Sequence, residues 1–322
     1  MEFHPLGASG LRVPPLGLGS WLSLADPDSD SPDRVVGAAL DAGITLLDTA
    51  DVYDTGEAER LLGAAIRDRP RHHLVLATKA YWPMSDDPND RGLSRKHLTE
   101  SVDHSLQRLG TDYIDLFQCH RYDPEVPLAE TVATMGDLIR RGKILYWGTS
   151  MWSGQQLRDA CALCDALQVP RPISEQARYN LLCREVEPEV VPAAQELGVG
   201  FLWWSPLAQG VLSGKYRPGV APATDTRAGS ERRFGGFLDD ALADPRVHER
   251  VARLARVADQ AGAPLDALAI SWTIRRQPGS TALVGVRKLG QLERNLRALE
   301  VAWDDALMAA VEEAVAGEPL GL

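Results

Sequence analysis

Four polar residues in the first part of the chain could together protonate a carbonyl oxygen: Asp48, Tyr53, Lys79 and His120. Lys79 ends a short apolar segment and Asp48 ends the one before it, so an ammonium and a carboxylate could meet at the ends of neighbouring strands. An ammonium held there lowers the cost of proton loss from Tyr53. His120 can donate a hydrogen bond to the oxygen that Tyr53 addresses. These residue types indicate general-acid chemistry on a carbonyl group.

Each of these residues also has an ordinary structural interpretation. Asp48 could belong to a helix-capping loop, and Tyr53 could be a surface aromatic residue. Lys79 could lie on the rim with its ammonium in water, and His120 could be a hydrogen-bonded loop histidine. Taken singly, each residue fits the structural interpretation better, and the combination favours the catalytic one.

The elements that must position these residues are short apolar segments alternating with amphipathic helical segments. Each apolar segment is too short for a helix and is bounded by Gly, Pro or polar residues, as is typical of buried parallel strands. The eight segments cover 15–18, 45–48, 74–79, 114–118, 144–148, 172–176, 200–204 and 281–285. One strand and one helix about every 30 residues is the βαβ repeat. The sequence therefore predicts an α/β fold, a (β/α)8 TIM barrel.

Three further features complete the predicted fold. Residues 3–13 are expected to form an N-terminal β-hairpin at the bottom of the barrel. A long Gly- and Pro-rich loop over 215–236 follows the seventh strand and is predicted to order over a bound anionic ligand. Two helices are predicted after it, over 245–261 and 264–276. No linker is apparent, so we expect one domain over residues 1–322.

Composition excludes several classes of protein. The 322 residues include 34 Lys and Arg against 45 Asp and Glu, giving a net charge of −11, which excludes a broad nucleic-acid-binding surface. We expect no membrane insertion, because no apolar segment approaches the ~18 residues that cross a bilayer. The first twenty residues lack the pattern of a signal peptide, so we expect a cytoplasmic protein. Four cysteines do not make a disulfide scaffold.

The motifs around these residues resemble those of the aldo-keto reductases. The resemblance runs in order from about Phe3 to Leu299. The matching motifs are Asp48–Tyr53 with Gly56, Glu57 and Glu59, Ala77–Lys79, Gln118–Arg121, Trp147–Ser150, Glu175–Asn180, Trp204–Gly210 and Ser213–Tyr216. Arg91–Lys96 and Trp147–Ser150 are most similar to the branch of the voltage-gated potassium channel β subunits and the bacterial glyceraldehyde-phosphate-type reductases.

The resemblance implies reduction of an aldehyde or ketone to an alcohol with NADPH as cofactor, on a TIM barrel and without a metal ion. Tyr53 would be the general acid, with Lys79 and Asp48 tuning it. His120 would orient the carbonyl of a small-molecule substrate. Tyr81, Trp82 and Trp152 lie just past strand ends and could wall the substrate pocket or equally pack the loops. Trp21, at the end of the first strand, would lie at the cofactor and substrate edge.

The resemblance also implies how NADPH or NADP+ is held. Trp204 would stack on the nicotinamide, and Ser150 and Gln176 would hold its carboxamide. The remaining implied cofactor-binding residues are Gly19, Ser20, Trp21, Asp48, Ser205, Pro206, Leu207, Gly210, Lys215, Arg217, Arg227, Gly285, Arg287, Gln291 and Asn295. Arg287 and Lys288 place two cations where a 2′-phosphate would lie, so we expect NADPH to be preferred over NADH. Arg294 departs from the family pattern, which has an acidic residue there.

Two other functions remain as alternatives to a reductase. One is a cofactor-binding subunit that docks to a membrane channel and has weak catalysis. His120 argues against it, because those subunits carry asparagine there, and no long inactivation segment is expected before the hairpin. The other is a lyase, which would leave the matches at Trp204–Lys215 and Arg287 unexplained. Relatives in this branch form tetramers or octamers, so we expect a homo-oligomer.

Two further patterns have weaker interpretations. Gly17–Leu22 begins like a Rossmann fingerprint but lacks the third glycine and the following acidic residue, so it fits the end of a first barrel strand better. Cys161 and Cys164 have CxxC spacing inside a helical pattern, which favours a buried pair on one helix face over a redox or zinc site.

Overall fold

Parallel strands close into an eight-stranded barrel, preceded by a short antiparallel hairpin. The structure is a computed structural model and describes residues 1–224, 226–229 and 237–320. The hairpin strands are β1 (His4–Pro5) and β2 (Arg12–Val13). The barrel strands are β3 (Leu16–Gly19), β4 (Leu46–Asp48), β5 (Val75–Ala80), β6 (Ile114–Cys119), β7 (Ile144–Ser150), β8 (Ser174–Arg178), β9 (Gly200–Trp204) and β10 (Thr281–Gly285). In the described chain the closed order is β10-β3-β4-β5-β6-β7-β8-β9, which confirms the predicted (β/α)8 barrel.

Strand register brings the predicted site residues to one end of the barrel. Gly19 is paired with Asp48, and Lys79 with Gln118. Ser150 is the last residue of β7 and is paired with Gln176 of β8. The carboxyl ends of parallel strands meet on one face, which is the face that carries the active site in TIM-barrel enzymes.

Helices connect the strands and show the end signals expected from the sequence. Ser94 accepts the His97 backbone N–H as N-cap of the third helix, and Gly110 follows that helix with φ of 66°. Within the described residues the helices are α1 (Pro32–Asp41), α2 (Glu57–Ile66), α3 (Arg95–Leu109), α4 (Leu128–Arg140), α5 (Gly154–Leu167), α6 (Val190–Leu197), α7 (Phe237–Ala243), α8 (Pro245–Gln260), α9 (Leu265–Arg276), α10 (Leu289–Leu296) and α11 (Asp305–Val315). Short 3₁₀ turns cover Tyr53–Gly56, Arg71–His73, Ala208–Ser213 and Arg297–Leu299.

The hairpin covers the amino-terminal end of the barrel. Leu6 and Val13 are buried in one apolar cluster with strand residues, among them Leu46 and Leu116. Gly7 has φ of 58°, and a Cβ there would lie 2.4 Å from the carbonyl oxygen of Gly198, so only glycine permits this approach. The predicted hairpin at the bottom of the barrel is therefore confirmed.

The described chain forms two compact units. The first comprises Met1–Ala177, Val186–Leu202 and Gly279–Leu289, and it holds most of the barrel. The second comprises Arg178–Glu185, Trp203–Pro278 and the chain from Gly290 onwards. Within the second unit, Glu312 accepts hydrogen bonds from Arg184 at 2.6 Å and from Trp272 at 3.2 Å, which fixes α11 against α9. The expectation of one domain over residues 1–322 stays a prediction.

The two helices predicted after the long loop are present as α8 and α9. Residues 225 and 230–236 of the predicted lid lie outside the described residues. In its described part, the Ala228 N–H donates to the Tyr216 hydroxyl at 3.3 Å. Ordering of this segment over a cofactor stays a prediction. No helix in the described ranges is long and apolar enough to cross a membrane.

Candidate active site

The four candidate catalytic residues converge at the carboxyl ends of three adjacent strands. Asp48 ends β4, Lys79 lies one residue before the end of β5, and His120 directly follows β6. Tyr53 lies in the loop after β4, on a 3₁₀ turn. Lys79 is fully buried, and Asp48 and His120 are 4% and 7% exposed. The sequence-predicted set is therefore assembled in one place within the first unit.

The Lys79 ammonium is the centre of this cluster. Its Nζ donates to Asp48 Oδ2 and to the Thr49 carbonyl oxygen, both at 2.7 Å, and to the Tyr53 hydroxyl at 3.4 Å. Burial alone lowers the pKa of Lys79, but Asp48 and Tyr53 outweigh burial, so the pKa is raised above its usual value. Lys79 is therefore a cation at neutral pH and faces the Tyr53 oxygen.

Tyr53 keeps its proton in this environment. Burial raises the pKa of its hydroxyl above the usual value, Lys79 lowers it and Asp48 raises it. Lys79 therefore shifts the pKa of Tyr53 in the direction expected from the sequence, whereas burial decides the net direction. A hydroxyl that is protonated at neutral pH and lies beside a cation can donate its proton and then be stabilised as a phenolate.

Two glutamine side chains hold the second oxygen of Asp48. Gln176 Nε2 donates to Asp48 Oδ1 at 2.8 Å, and Gln118 Nε2 donates to the same oxygen at 3.3 Å. Gln176 Nε2 also donates to Gln118 Oε1 at 3.2 Å. Sequence reasoning did not assign a role to Gln118. The available signal was strand alternation, because Gln118 and His120 are two residues apart and share a strand face.

The turn that carries Tyr53 has an unusual backbone and a buried ionic support. Asp54 and Thr55 have φ of 46° and 52°, and Gly56 has φ of 84°. A Cβ at Gly56 would lie 2.7 Å from Arg108 Cδ, so glycine allows the α3 arginine to pass beneath the turn.

Arg108 is held by Glu59 of α2. Arg108 Nε donates to Glu59 Oε2 at 2.6 Å, and the Thr78 hydroxyl donates to Glu59 Oε1 at 2.6 Å. Glu59 is fully buried, and breaking such a pair is costly. This ion pair ties α2, α3 and β5 together beneath the tyrosine turn.

His120 is a neutral imidazole near the tyrosine. Burial and then the charges of Lys79 and Arg121 place the pKa of His120 well below its usual value. Its ring lies 5.8 Å from the Tyr53 ring, edge to face. His120 Nδ1 is buried and has no hydrogen-bond partner among the described residues. The ring can therefore offer one N–H to a ligand beside Tyr53 without carrying charge.

Aromatic side chains surround the tyrosine and histidine. The Trp21 ring lies 6.4 Å from that of Tyr53, and the Trp82 ring lies 6.3 Å from that of His120. Tyr81 packs edge-on against Trp82 at 5.1 Å, and Trp82 is 38% exposed. These contacts bring Trp21 and Trp82 next to the candidate catalytic residues, as a substrate wall requires.

Trp152 differs from the other three predicted wall residues. It is 1% exposed, and its ring packs edge-on against Tyr122 at 5.0 Å. Glu175 lies beneath this loop, accepting the Trp152 backbone N–H at 3.1 Å and the Thr149 hydroxyl at 2.5 Å. Trp152 thus fits the alternative interpretation, in which it packs the loops.

Comparison with known proteins agrees with this geometry. A family model described as the aldo/keto reductase family matches residues 15–316. The chain belongs to this family. Membership indicates an oxidoreductase that acts on small molecules.

One relative, named a probable voltage-gated potassium channel subunit beta of Arabidopsis thaliana, is 38% identical over 305 residues, which is 94% of this chain and 92% of the relative. A protein of the same name from Oryza sativa subsp. japonica is 40% identical over 305 residues, again 94% of this chain and 92% of the relative.

In this aldo/keto reductase, several predicted cofactor-binding residues lie at strand ends of the first unit. Gly19 and Gly285 are paired at the ends of β3 and β10. Ser20 follows β3, and its buried hydroxyl has no partner among the described residues, so it can bond a polar ligand. The Ser150 hydroxyl donates to the backbone carbonyl oxygen of Gln176 at 2.8 Å, which places both residues together. Amide and hydroxyl groups of this kind suit a carboxamide ligand.

The two cations after β10 are engaged with carboxylates. Arg287 Nη1 lies 2.9 Å from Asp26 Oδ2, and Lys288 Nζ lies 3.8 Å from Asp30 Oδ1. A phosphate bound by Arg287 would therefore share the guanidinium with Asp26 or displace that carboxylate. Two cations in one βα loop are nonetheless the donor set that a phosphate takes.

The other predicted cofactor-binding residues lie in the second unit. The Asn180 amide donates to the Ser205 carbonyl oxygen at 2.9 Å, and Ser205 has φ of 58°. Lys215 and Arg217 are exposed, whereas Asn295 is 4% exposed. Arg294, which stands where the family pattern has an acidic residue, pairs with Asp266 at 3.4 Å. The second unit also holds Trp204, Pro206, Leu207, Gly210, Arg227 and Gln291.

A groove of about 380 Å³ lies at the opposite, amino-terminal end of the barrel. It is lined mainly by apolar residues, among them Ile139, Leu145 and Ile173. Its cation, Arg171, is bound to Asp165 at 2.8 Å. This composition offers no acid or nucleophile comparable to the cluster at the other end.

Proposed function

We propose that the protein reduces aldehydes or ketones to alcohols with NADPH as the hydride donor. The observation that carries this proposal is the Lys79 ammonium, which lies between the Asp48 carboxylate at 2.7 Å and the Tyr53 hydroxyl at 3.4 Å. Such a buried cation beside a protonated phenol is suited to delivering one proton to a carbonyl oxygen.

In the proposed mechanism, Tyr53 donates its hydroxyl proton to the substrate carbonyl oxygen and becomes a phenolate. Lys79 stabilises that phenolate, and Asp48 keeps Lys79 charged and in place. His120 donates a hydrogen bond to the same carbonyl oxygen, and its lowered pKa keeps it neutral, so it orients the oxygen without competing for the proton. NADPH, when bound, supplies the hydride that the carbonyl carbon receives. One hydride and one proton convert the carbonyl to an alcohol.

The residues present fit a nicotinamide carboxamide. The hydrogen bonds that Gln176 makes with Asp48 and Gln118 use its side-chain nitrogen, which leaves its side-chain oxygen Oε1 as the group to accept an amide N–H. We assign Ser150 and Gln176 to the carboxamide, and Arg287 with Lys288 to the 2′-phosphate. Trp204, Lys215 and Arg217 keep the roles that the resemblance implies, at the nicotinamide and the pyrophosphate.

A panel of aldehydes and ketones tests the function. The wild-type chain should consume NADPH only when a carbonyl compound is added, with NADH a poorer donor, and the product should be the alcohol. Tyr53→Phe is the matched control, since it removes one oxygen and leaves the ring. Binding of NADPH without carbonyl-dependent consumption across the panel would count against the proposal.

A second candidate function rests on the names of the relatives, which are channel β subunits. In this alternative the chain binds a channel protein and its catalysis is weak. We further propose a cytoplasmic homo-oligomer, a tetramer or octamer. Light scattering on the purified chain measures its mass, and a monomer at micromolar concentration would contradict the oligomer.

A further inference from the structure

Arg121 places a second cation beside the proposed reaction centre. It directly follows His120, its guanidinium donates to the His120 carbonyl oxygen, and its Cζ lies 5.5 Å from the centre of the Trp82 ring. Arg121 is partly buried. The reductase chemistry proposed above gives this arginine no task.

Among the residues that the structure describes, the guanidinium of Arg121 has no carboxylate partner close to it. Across the described ranges, 1–224, 226–229 and 237–320, no Asp or Glu oxygen lies within 4.0 Å of an Arg121 nitrogen. By contrast, Arg71, Arg108 and Arg184 each meet a carboxylate at 2.6 Å. A partly buried arginine without such a partner retains unmet capacity for an anion.

Glu175 is a poor partner for this guanidinium. Glu175 influences Arg121 electrostatically, but its oxygens already accept the Thr149 hydroxyl and the Trp152 N–H. Burial raises the pKa of Glu175 to about 7, so it is only partly charged at neutral pH. Burial also lowers the pKa of Arg121, with Tyr53, Glu175 and Tyr81 acting in the opposite direction. Arginine nevertheless stays protonated at any physiological pH.

We propose that Arg121 binds a carboxylate on the substrate, so that the substrate class is aldehydes or ketones that also carry a carboxylate. This rests on the function proposed above. One planar guanidinium matches one carboxylate through two parallel hydrogen bonds. With Trp82 against its face, the edge of the guanidinium can receive the ligand. Trp82 and Trp21 supply apolar surface for the carbon frame between the two ends of the substrate.

The net charge of the chain is −11, which bears on how an anionic substrate is attracted. A chain with this excess of acidic residues does not attract anions through its overall field. Selection of a carboxylate must therefore come from a local cation. Arg121 is the cation placed against both His120 and Trp82.

Two aldehydes of the same shape test the proposal. 4-Carboxybenzaldehyde and 4-nitrobenzaldehyde carry planar groups of similar size, one an anion and the other neutral. We expect Arg121→Gln to lower kcat/KM for the carboxylate substrate by about 10–100-fold, mainly through KM, and to change the nitro substrate much less. Comparing each substrate between wild type and variant removes the difference in their intrinsic reactivity.

Further variants separate charge from structure. Arg121→Lys should keep part of the carboxylate preference, since it retains the charge and loses the planar fork. Arg141→Gln, an exposed arginine after α4, is the matched control and should leave both substrates within about threefold. Equal loss for both aldehydes in Arg121→Gln would mean a structural role and overturn the proposal, as would no loss for either.

Failure of the proposed function gives a different result. A wild-type chain that reduces neither these two aldehydes nor any compound of the panel refutes the reductase, not the anion site. Binding of 4-(hydroxymethyl)benzoate, followed by tryptophan fluorescence, then decides the role of Arg121 without turnover. The wild type should bind it at least about tenfold more tightly than Arg121→Gln, and equal dissociation constants would overturn the proposal.

Discussion

The buried ion pair between Asp48 and Lys79 predicts strong energetic coupling between these two residues. The test uses Asp48→Asn, Lys79→Met and the double variant. The side chains are 5% and 0% exposed and their atoms are 2.7 Å apart, so solvent does not screen the pair. Removal of one partner from a buried pair costs about 3–5 kcal/mol, because the other charge is left without its partner.

The remaining contacts indicate which single variant suffers more. In Asp48→Asn the ammonium keeps the Thr49 carbonyl oxygen but loses its negative partner. In Lys79→Met the carboxylate keeps the amide N–H groups of Gln176 and Gln118. We therefore expect Asp48→Asn to be the more destabilised variant. The double variant buries no charge of this pair. Its loss of stability should therefore be smaller than the sum of the two single losses by about 2 kcal/mol or more.

Urea unfolding followed by tryptophan fluorescence measures all four free energies of unfolding. The exposed pair Lys96–Glu100 on α3, whose side chains are 57% and 50% exposed, is the matched control and should be close to additive. Additivity at Asp48 and Lys79 within about 0.5 kcal/mol would refute the account of a tightly coupled buried pair.

Three other predictions concern single residues. Burial raises the pKa of Glu175 from 4.5 to about 7, so the folded state binds the proton more tightly and the free energy of unfolding should fall between about pH 4.5 and 7. In Glu175→Gln, the fall in the free energy of unfolding between pH 4.5 and 7 should be smaller by up to about 3 kcal/mol, as measured by urea titrations at several pH values. An unchanged pH dependence would contradict the assignment. His120→Asn should keep NADPH binding but lower turnover, and unchanged kcat would show that orientation by His120 is not needed. Arg287→Ala should weaken NADPH binding by about 10–100-fold and NADH binding little, measured by fluorescence titration; equal weakening of both would place the 2′-phosphate elsewhere.

Local sequence signals were sufficient to predict the fold. Every predicted apolar segment corresponds to a barrel strand, and the observed start of each strand lies within two residues of the predicted start. For example, the segment 74–79 corresponds to Val75–Ala80. The ends also agree within two residues, and β7, for example, continues to Ser150, two residues beyond its predicted apolar segment. Strands buried on both faces are near-continuous apolar runs, which explains why such segments identify them.

The support of the site could not be predicted from the sequence, because it joins distant residues. Gln176 and Asp48 are 128 residues apart in the chain, and Arg108 and Glu59 are 49 residues apart. No local sequence pattern indicates that residues so far apart form a hydrogen bond. The direction of the Tyr53 pKa was also out of reach, because burial opposes the Lys79 charge and only the packed structure gives the balance.

The most direct test of the central claim is the single-turnover oxidation of bound NADPH by 4-nitrobenzaldehyde in Tyr53→Phe. General-acid participation contributes about 10²–10⁴ in rate, so this step should slow at least 100-fold while NADPH affinity stays within a few-fold. Lys79→Met should lose activity similarly, and the double variant should lose little more, because the two groups act as one unit. A wild-type rate in Tyr53→Phe would show that the proton comes from another group and that the active site is wrongly assigned.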